Sequence, residues 1–261
     1  MACVVFKAGN VCSITVAAMT TSAREWRAAR EEDIRKAYAD KECWNDLDRI
    51  TSRHPYSFGS IEEWPLDAAV ICKPTDRASV LLGSIKAACS LEDIFESLSV
   101  KVTVVVTMCA NEMEIRGAPK DWAQYFQQEN VYHVKCHLED TTLKPPHRWE
   151  ERIPDLVASC LEQWKIVCGQ LWKQSMLAVT RGESMHVLFH CFGGINRSAG
   201  ALCAWLVVGY NYPAEDAVQL LLKKRPSLRP WHNRPYVLEA LWQLEGLRAE
   251  WHMELSAACT N

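Results

Sequence analysis

The feature that most constrains this chain is an alternation of short apolar or β-branched runs with longer stretches of helical period. AAVIC (68–72), SVLLG (79–83), VTVVVTM (102–108), VYHVKCH (131–137) and MHVLFH (185–190) read as strands. Several are so continuously apolar that both of their faces must be covered. Helical patterns fall near 84–98, 119–129, 198–210, 213–224 and 234–255, and the clearest runs from about 150 to 174. In that segment Ile153, Leu156, Val157, Cys160, Leu161, Trp164, Val167, Cys168, Leu171 and Trp172 keep a period of about 3.6 residues. Strands interleaved with helices in this way predict an α/β fold, with a central, mostly parallel sheet of about five strands flanked by helices.

The first 65 residues stand outside that alternation. MACVVFKAGNVCSITVAAM is apolar towards its end, but Lys7, Gly9 and Asn10 interrupt it and no basic region precedes the first apolar run. A secretory leader is therefore not expected, and two short strands, VVF and VCSITV, around a turn at Ala8-Gly9-Asn10 are the simpler reading. Ser22-Ala23-Arg24-Glu25 fits a capping box and opens a helix over about 23–39. From Lys41 to Pro65 the period is lost in polar, turn-rich text. Trp26, Trp44 and Trp64 could anchor this extension to the rest of the chain or to a substrate.

Charge and cysteine content narrow the function classes. The 261 residues carry 29 Lys+Arg against 32 Asp+Glu, a formal charge of −3. There is no bulk electrostatic reason to bind nucleic acid or an anionic membrane, so an anionic ligand must be held by a local site. The 12 cysteines include no C-x-x-C pair, which excludes zinc ribbons and thioredoxin-type redox motifs. Most lie in apolar runs, where free Cys acts as a small core hydrophobe, and a reduced, cytoplasmic or nuclear setting is expected. No stretch reaches the ~20 apolar residues of a membrane span.

The chemistry concentrates in His190-Cys191-Phe192-Gly193-Gly194-Ile195-Asn196-Arg197-Ser198, between the strand MHVLF and the helix that follows. A glycine-bearing loop entering a helix leaves backbone N–H groups pointing inward at the helix's positive end, which makes a cradle for phosphate. Cys191 at its lip would feel those N–H groups and Arg197, and both favour the thiolate. Arg197 offers a planar fork for two phosphoryl oxygens, gripping harder as the transferring group flattens. Ser198 can donate to the Cys191 sulfur and help it leave. His190 reads as an orienting residue bonded to backbone at the loop entrance.

Cys191 to Arg197 resembles the C-x5-R signature of the cysteine-dependent protein tyrosine phosphatases, and the fuller HCxxGxxRS form resembles their dual-specificity branch. The resemblance extends over about residues 66–246. VLLGSIKAACSLEDIFESLSVKVTVVVTM looks like the opening strand, helix and strand of those domains, and YPAEDAVQLLLKKRPSLRP like their helix ending in an RPxxxP segment. It implies an N-terminal extension (1–65), a catalytic domain (66–250) and a C-terminal tail (251–261). It also implies a phosphatase that needs no metal or other cofactor and whose partner is a phosphorylated protein. The family's mechanism uses a general acid, usually an Asp on the loop after the strand preceding the long helix. Asp140 in VKCHLED matches that place, with Glu139 as the local competitor. The chain departs from the pattern after Pro230, where WHNRPYVLEAL stands in place of an immediate Asn, and in the Pro-rich, basic TTLKPPHRWE (141–150), whose Lys144, His147 and Arg148 could meet acidic substrates.

Substrate class follows from what the signature lacks. No KNRY-type segment deepens the pocket, so phosphoserine and phosphothreonine are expected beside phosphotyrosine. The loop residues Phe192, Ile195 and Asn196 are uncharged, where phosphoinositide phosphatases of the family place lysines. Asn196 before Arg197 resembles the GxNR of RNA 5′-phosphatases, but Ser198 replaces their Thr and the chain has no basic surplus. A phosphoprotein-binding scaffold without turnover is the alternative of another class, although such proteins typically lose the Cys or the Arg. Cys109, or else Cys136, could trap an oxidised Cys191 as a disulfide.

Overall fold

The strands are the expected five: β1 (Ala68–Thr75), β2 (Ala78–Gly83), β3 (Val104–Thr107), β4 (Tyr132–Lys135) and β5 (Met185–His190). They form one sheet in the order β1-β2-β5-β3-β4. β2, β5, β3 and β4 run parallel, and β1 closes one edge as the antiparallel half of a hairpin with β2. The computed structural model describes residues 66–110, 118–140, 149–225 and 234–258. The expected N-terminal hairpin, the helix over 23–39, and the basic loop residues Lys144, His147 and Arg148 lie outside the described residues.

The continuous apolar runs have a direct cause in the layering. β2 and β3 are buried along their whole length, and successive side chains feed opposite cores. Val80, Leu82, Val104, Val106, Val187 and Phe189 face the larger core, while Leu81, Val105 and Leu188 face the smaller one. The smaller core is covered by α1 (Ile85–Cys89), α2 (Leu91–Leu98) and α3 (Trp122–Gln128). The larger is covered by α4 (Trp149–Arg181), α5 (Arg197–Tyr210), α6 (Ala214–Lys224) and α7 (Pro235–Ala258). Among the described residues, no helix is long and apolar enough to cross a membrane.

Three boundaries differ from the sequence reading. The helix expected over 84–98 breaks at Ser90 (φ −132°, ψ 56°), which ends α1 and starts α2. Serine tolerates that break because it gains little from a helix interior. α4 continues past residue 174 to Arg181 because Met176 and Leu177 are good helix formers and Ala178 still packs against the larger core. It stops at Gly182 (φ +66°), where the N–H groups of Gly182 and Glu183 bond the carbonyls of Val179 and Ala178. α7 runs on to Ala258, past the end near 255 read from the sequence, with Trp251 and Leu255 buried in the larger core.

Candidate active site

β5 delivers His190 to the carboxyl edge of the sheet, the chain turns through Cys191–Asn196, and α5 begins at Arg197. Every residue of α5 from Arg197 to Val208 is buried, so its first N–H groups open into the loop and away from bulk water. Two contacts hold the loop against the end of β2. The Ile85 N–H donates to the Phe192 carbonyl at 3.0 Å. Gly194 (φ +65°) lies so close to Gly83 that a Cβ there would come 2.5 Å from the Gly83 carbonyl oxygen. A side chain at 194 is therefore excluded by both space and backbone conformation.

Within this frame Cys191 is buried, and Ser198 Oγ donates to its Sγ at 3.2 Å. Phe192 and Ile195 pack against the larger core. Gly193 continues the bend between Phe192 and Gly194. Asn196 is the residue before the helix, and its carbonyl accepts the Gly200 N–H at 2.9 Å. Arg197 is only 4% exposed. Its Nη1 donates to the Leu138 carbonyl at 3.5 Å, and its Nε lies 3.8 Å from Asp140 Oδ2.

His190 is completely buried and belongs to a chain of polar groups that the sequence did not reveal. Its Nε2 lies 2.6 Å from Thr107 Oγ1, which lies 2.9 Å from His133 Nε2. Its Nδ1 is 3.4 Å from the Cys191 carbonyl. Burial, followed by the neighbouring His133, pushes His190 down to about 3. Burial, followed by Lys135, pushes His133 down to about 4. With both rings neutral, one polarity satisfies every contact: His133 N–H to Thr107, the Thr107 hydroxyl to His190 Nε2, and His190 Nδ1–H to the Cys191 carbonyl. The indole of Trp122 stacks on His190 at 6.3 Å between ring centres.

The acid candidate comes from the opposite side. After β4 the chain follows the end of β3, the Leu138 N–H bonding the Met108 carbonyl at 3.1 Å. This sets Asp140 beside Arg197, whereas Glu139 is exposed. Asp140 Oδ1 also accepts from Arg234 Nε at 2.5 Å, from a buried arginine immediately before α7. Arg234 was missed in the sequence, yet a signal existed: a cation just before a helix start opposes the helix dipole and calls for a carboxylate partner. Cys109 forms a single β-bridge with His137, and Cys136 Sγ lies 2.9 Å from Gln163 Oε1 on α4, with burial pushing its thiol up to about 11. Among the described residues, no group of three or more His, Cys, Asp or Glu could hold a metal ion.

No family model matches the chain. It is 22% identical over 147 residues to a protein phosphatase Slingshot homolog from Xenopus laevis, covering 54% of this chain and 21% of that one. The chain thus spans about a fifth of the length of the curated relative it matches. Similar solved structures include PTPMT1 in complex with PI(5)P, at 20% identity over 73% of this chain and 97% of that one, with a TM-score of 0.40. Human DUSP28 shares 18% identity over 70% and 95%, with a TM-score of 0.42. A mouse putative dual specificity phosphatase complexed with zinc tungstate shares 19% over 74% and 96%, with a TM-score of 0.41. What the chain is similar to, in sequence and in structure, are phosphatases.

Proposed function

We propose that this chain is a phosphoprotein phosphatase that hydrolyses phosphotyrosine and phosphoserine or phosphothreonine esters through a cysteinyl-phosphate intermediate. The observation that carries the reading is the meeting of Cys191 Sγ, Ser198 Oγ and the Arg197 guanidinium at one buried helix start, with Asp140 facing them across the mouth.

Each group has a step. The phosphate enters the cradle of N–H groups at the start of α5, and the Arg197 fork holds two of its non-bridging oxygens. The Cys191 sulfur attacks phosphorus in line while the bond to the substrate oxygen breaks, and Asp140 gives that oxygen a proton. A water then attacks the phosphorus, returning its proton to the Asp140 carboxylate as the P–S bond breaks. Ser198, already bonded to Sγ, stabilises the departing thiolate. The uncharged loop side chains and the absence of a basic surplus favour a protein substrate over phosphoinositide or 5′-phosphorylated RNA.

The test is turnover of an aryl phosphate and of phosphotyrosine, phosphothreonine, phosphoinositide and 5′-triphosphorylated RNA substrates. Activity on both phosphopeptides that disappears in Cys191→Ser, with trapping of phosphate on the wild-type sulfur, supports the reading. A wild-type protein that binds phosphopeptides without hydrolysing them would make it a scaffold. A preference for RNA or phosphoinositide would replace the substrate class.

A further inference from the structure

We infer that Arg234 is a positioning residue for the acid, holding Asp140 at the mouth of the loop through Oδ1 and leaving Oδ2 to carry the proton. The inference rests on the phosphatase reading above. Asp140 lies between two guanidinium groups, with Arg234 Nε at 2.5 Å and Arg197 Nε at 3.8 Å. The two contacts are not equivalent, because Arg197 is the group that phosphate needs. At 3.8 Å its Nε holds the carboxylate at long range only, and a phosphate dianion bound in the loop takes over its fork. Arg234 is then the partner that keeps Asp140 in place.

Arg234 is suited to that task by where it is anchored. It is buried and directly precedes the start of α7. The Val237 N–H bonds the Arg234 carbonyl at 3.0 Å, and Tyr236 beside it is only 2% exposed. Asp140, by contrast, stands five residues beyond the end of β4 with its side chain 29% exposed. A helix end thus fixes a loop residue to within the tolerance that proton transfer requires.

The consequence is a dependence on the leaving group. A poor leaving group such as a serine alkoxide needs the proton from Asp140, whereas an electron-poor phenol departs with much less help. Arg234→Met is therefore expected to lower kcat/KM, which reports the step that releases the leaving group, on a phosphoserine peptide by at least about tenfold more than on an activated aryl phosphate, within the range that a general acid supplies. Combined with Asp140→Asn, Arg234→Met should add almost nothing. Arg234→Lys, which keeps the charge but not the fork, should recover part of the phosphoserine activity. Protection of Cys191 from alkylation by inorganic phosphate reports the loop independently of the acid, and it should survive in each variant. Equal losses on both substrates, or losses that multiply with Asp140→Asn, would overturn the inference. If Arg234→Met loses phosphate protection, the same ratio is read from Arg234→Lys, where equal losses again reject it. A wild-type protein without Cys191-dependent turnover would instead reject the phosphatase reading, which separates the two failures.

Discussion

The proposed nucleophile's half of the site is built from consecutive residues, His190 to Ser198, whereas the proposed acid's half is gathered from the ends of β3 and β4 and the start of α7. The first is shaped by backbone. Gly194 lies on Gly83, Phe192 is bonded to Ile85, and the start of a buried helix faces the sulfur. The second is shaped by side-chain pairs: Asp140 with Arg234 and Arg197, Thr107 with His133 and His190. A backbone-built site keeps its shape when a side chain is removed and fails when an atom is added. A side-chain-built site does the reverse.

The largest expected effect sets the chemistry of the two halves against each other. Cys191→Ser removes the nucleophile and should lower kcat/KM by on the order of 10⁴ to 10⁶, as for other covalent nucleophiles. Asp140→Asn removes a proton donor and should lower it by about 10² to 10³ on alkyl phosphates. Both are read by steady-state kinetics on a phosphoserine peptide. An Asp140→Asn loss as large as that of Cys191→Ser would mean that the acid's half also holds the phosphate.

Gly194→Ala tests the backbone half directly. The added Cβ would meet the Gly83 carbonyl at 2.5 Å in a left-handed backbone conformation. The conformation alone costs about 1–2 kcal/mol, and a loop displaced by even 1 Å costs about 10²-fold in rate. Thermal melting and kinetics should fall together. Ser198→Ala takes an atom away from the same half and should leave the melting temperature nearly unchanged. Turnover should slow by about 10²-fold through the loss of one donor to the leaving sulfur, with phosphoenzyme accumulating on rapid quench. An unstable Ser198→Ala protein, or a stable Gly194→Ala one, would break the distinction between the halves.

The same contrast explains what the sequence disclosed. The five strands and the helices around them were legible because binary pattern reports burial, and the layering buries β2 and β3 on both faces. The turn from β5 into α5 was legible because its geometry is set by neighbours in the chain. Asp140 could be placed only by its position after a strand, and Arg234 not at all, because their pairing joins residues 94 apart in sequence. Thr107 and His133 looked like ordinary strand residues, since periodicity says which face a side chain occupies and nothing about its hydrogen-bond partner. The break at Ser90 and the extension of α4 to Arg181 turn on local propensities that differ by less than about 1 kcal/mol per residue, too little for pattern to decide.

The smallest effect concerns the polar chain that joins the halves. Burial holds His133 down to about 4 and His190 down to about 3. In the unfolded chain both return to about 6.5. Between those values the unfolded state binds more protons, so the stability held by neutral rings is complete above about pH 6.5 and declines as the pH falls towards 4 and then 3. Each histidine can contribute at most about 1.4 kcal/mol per pH unit in that window. Because His133 is partly open to solvent, a combined loss of about 1–2 kcal/mol between pH 7 and 5.5 is the reasonable expectation. Urea denaturation at several pH values measures it. His133→Gln keeps an amide donor where Nε2 stands, within reach of Thr107, but does not titrate, so its stability should fall less steeply below pH 6.5 than that of the wild type. Thr107→Val should be the less stable protein at pH 7, because it leaves His190 Nε2 buried without its donor, at a cost of about 1–3 kcal/mol. Its loop, fixed by Gly194 and Phe192, should still bind phosphate. Parallel pH profiles for wild type and His133→Gln would show that the neutral His133 ring does not contribute to the stability of this chain.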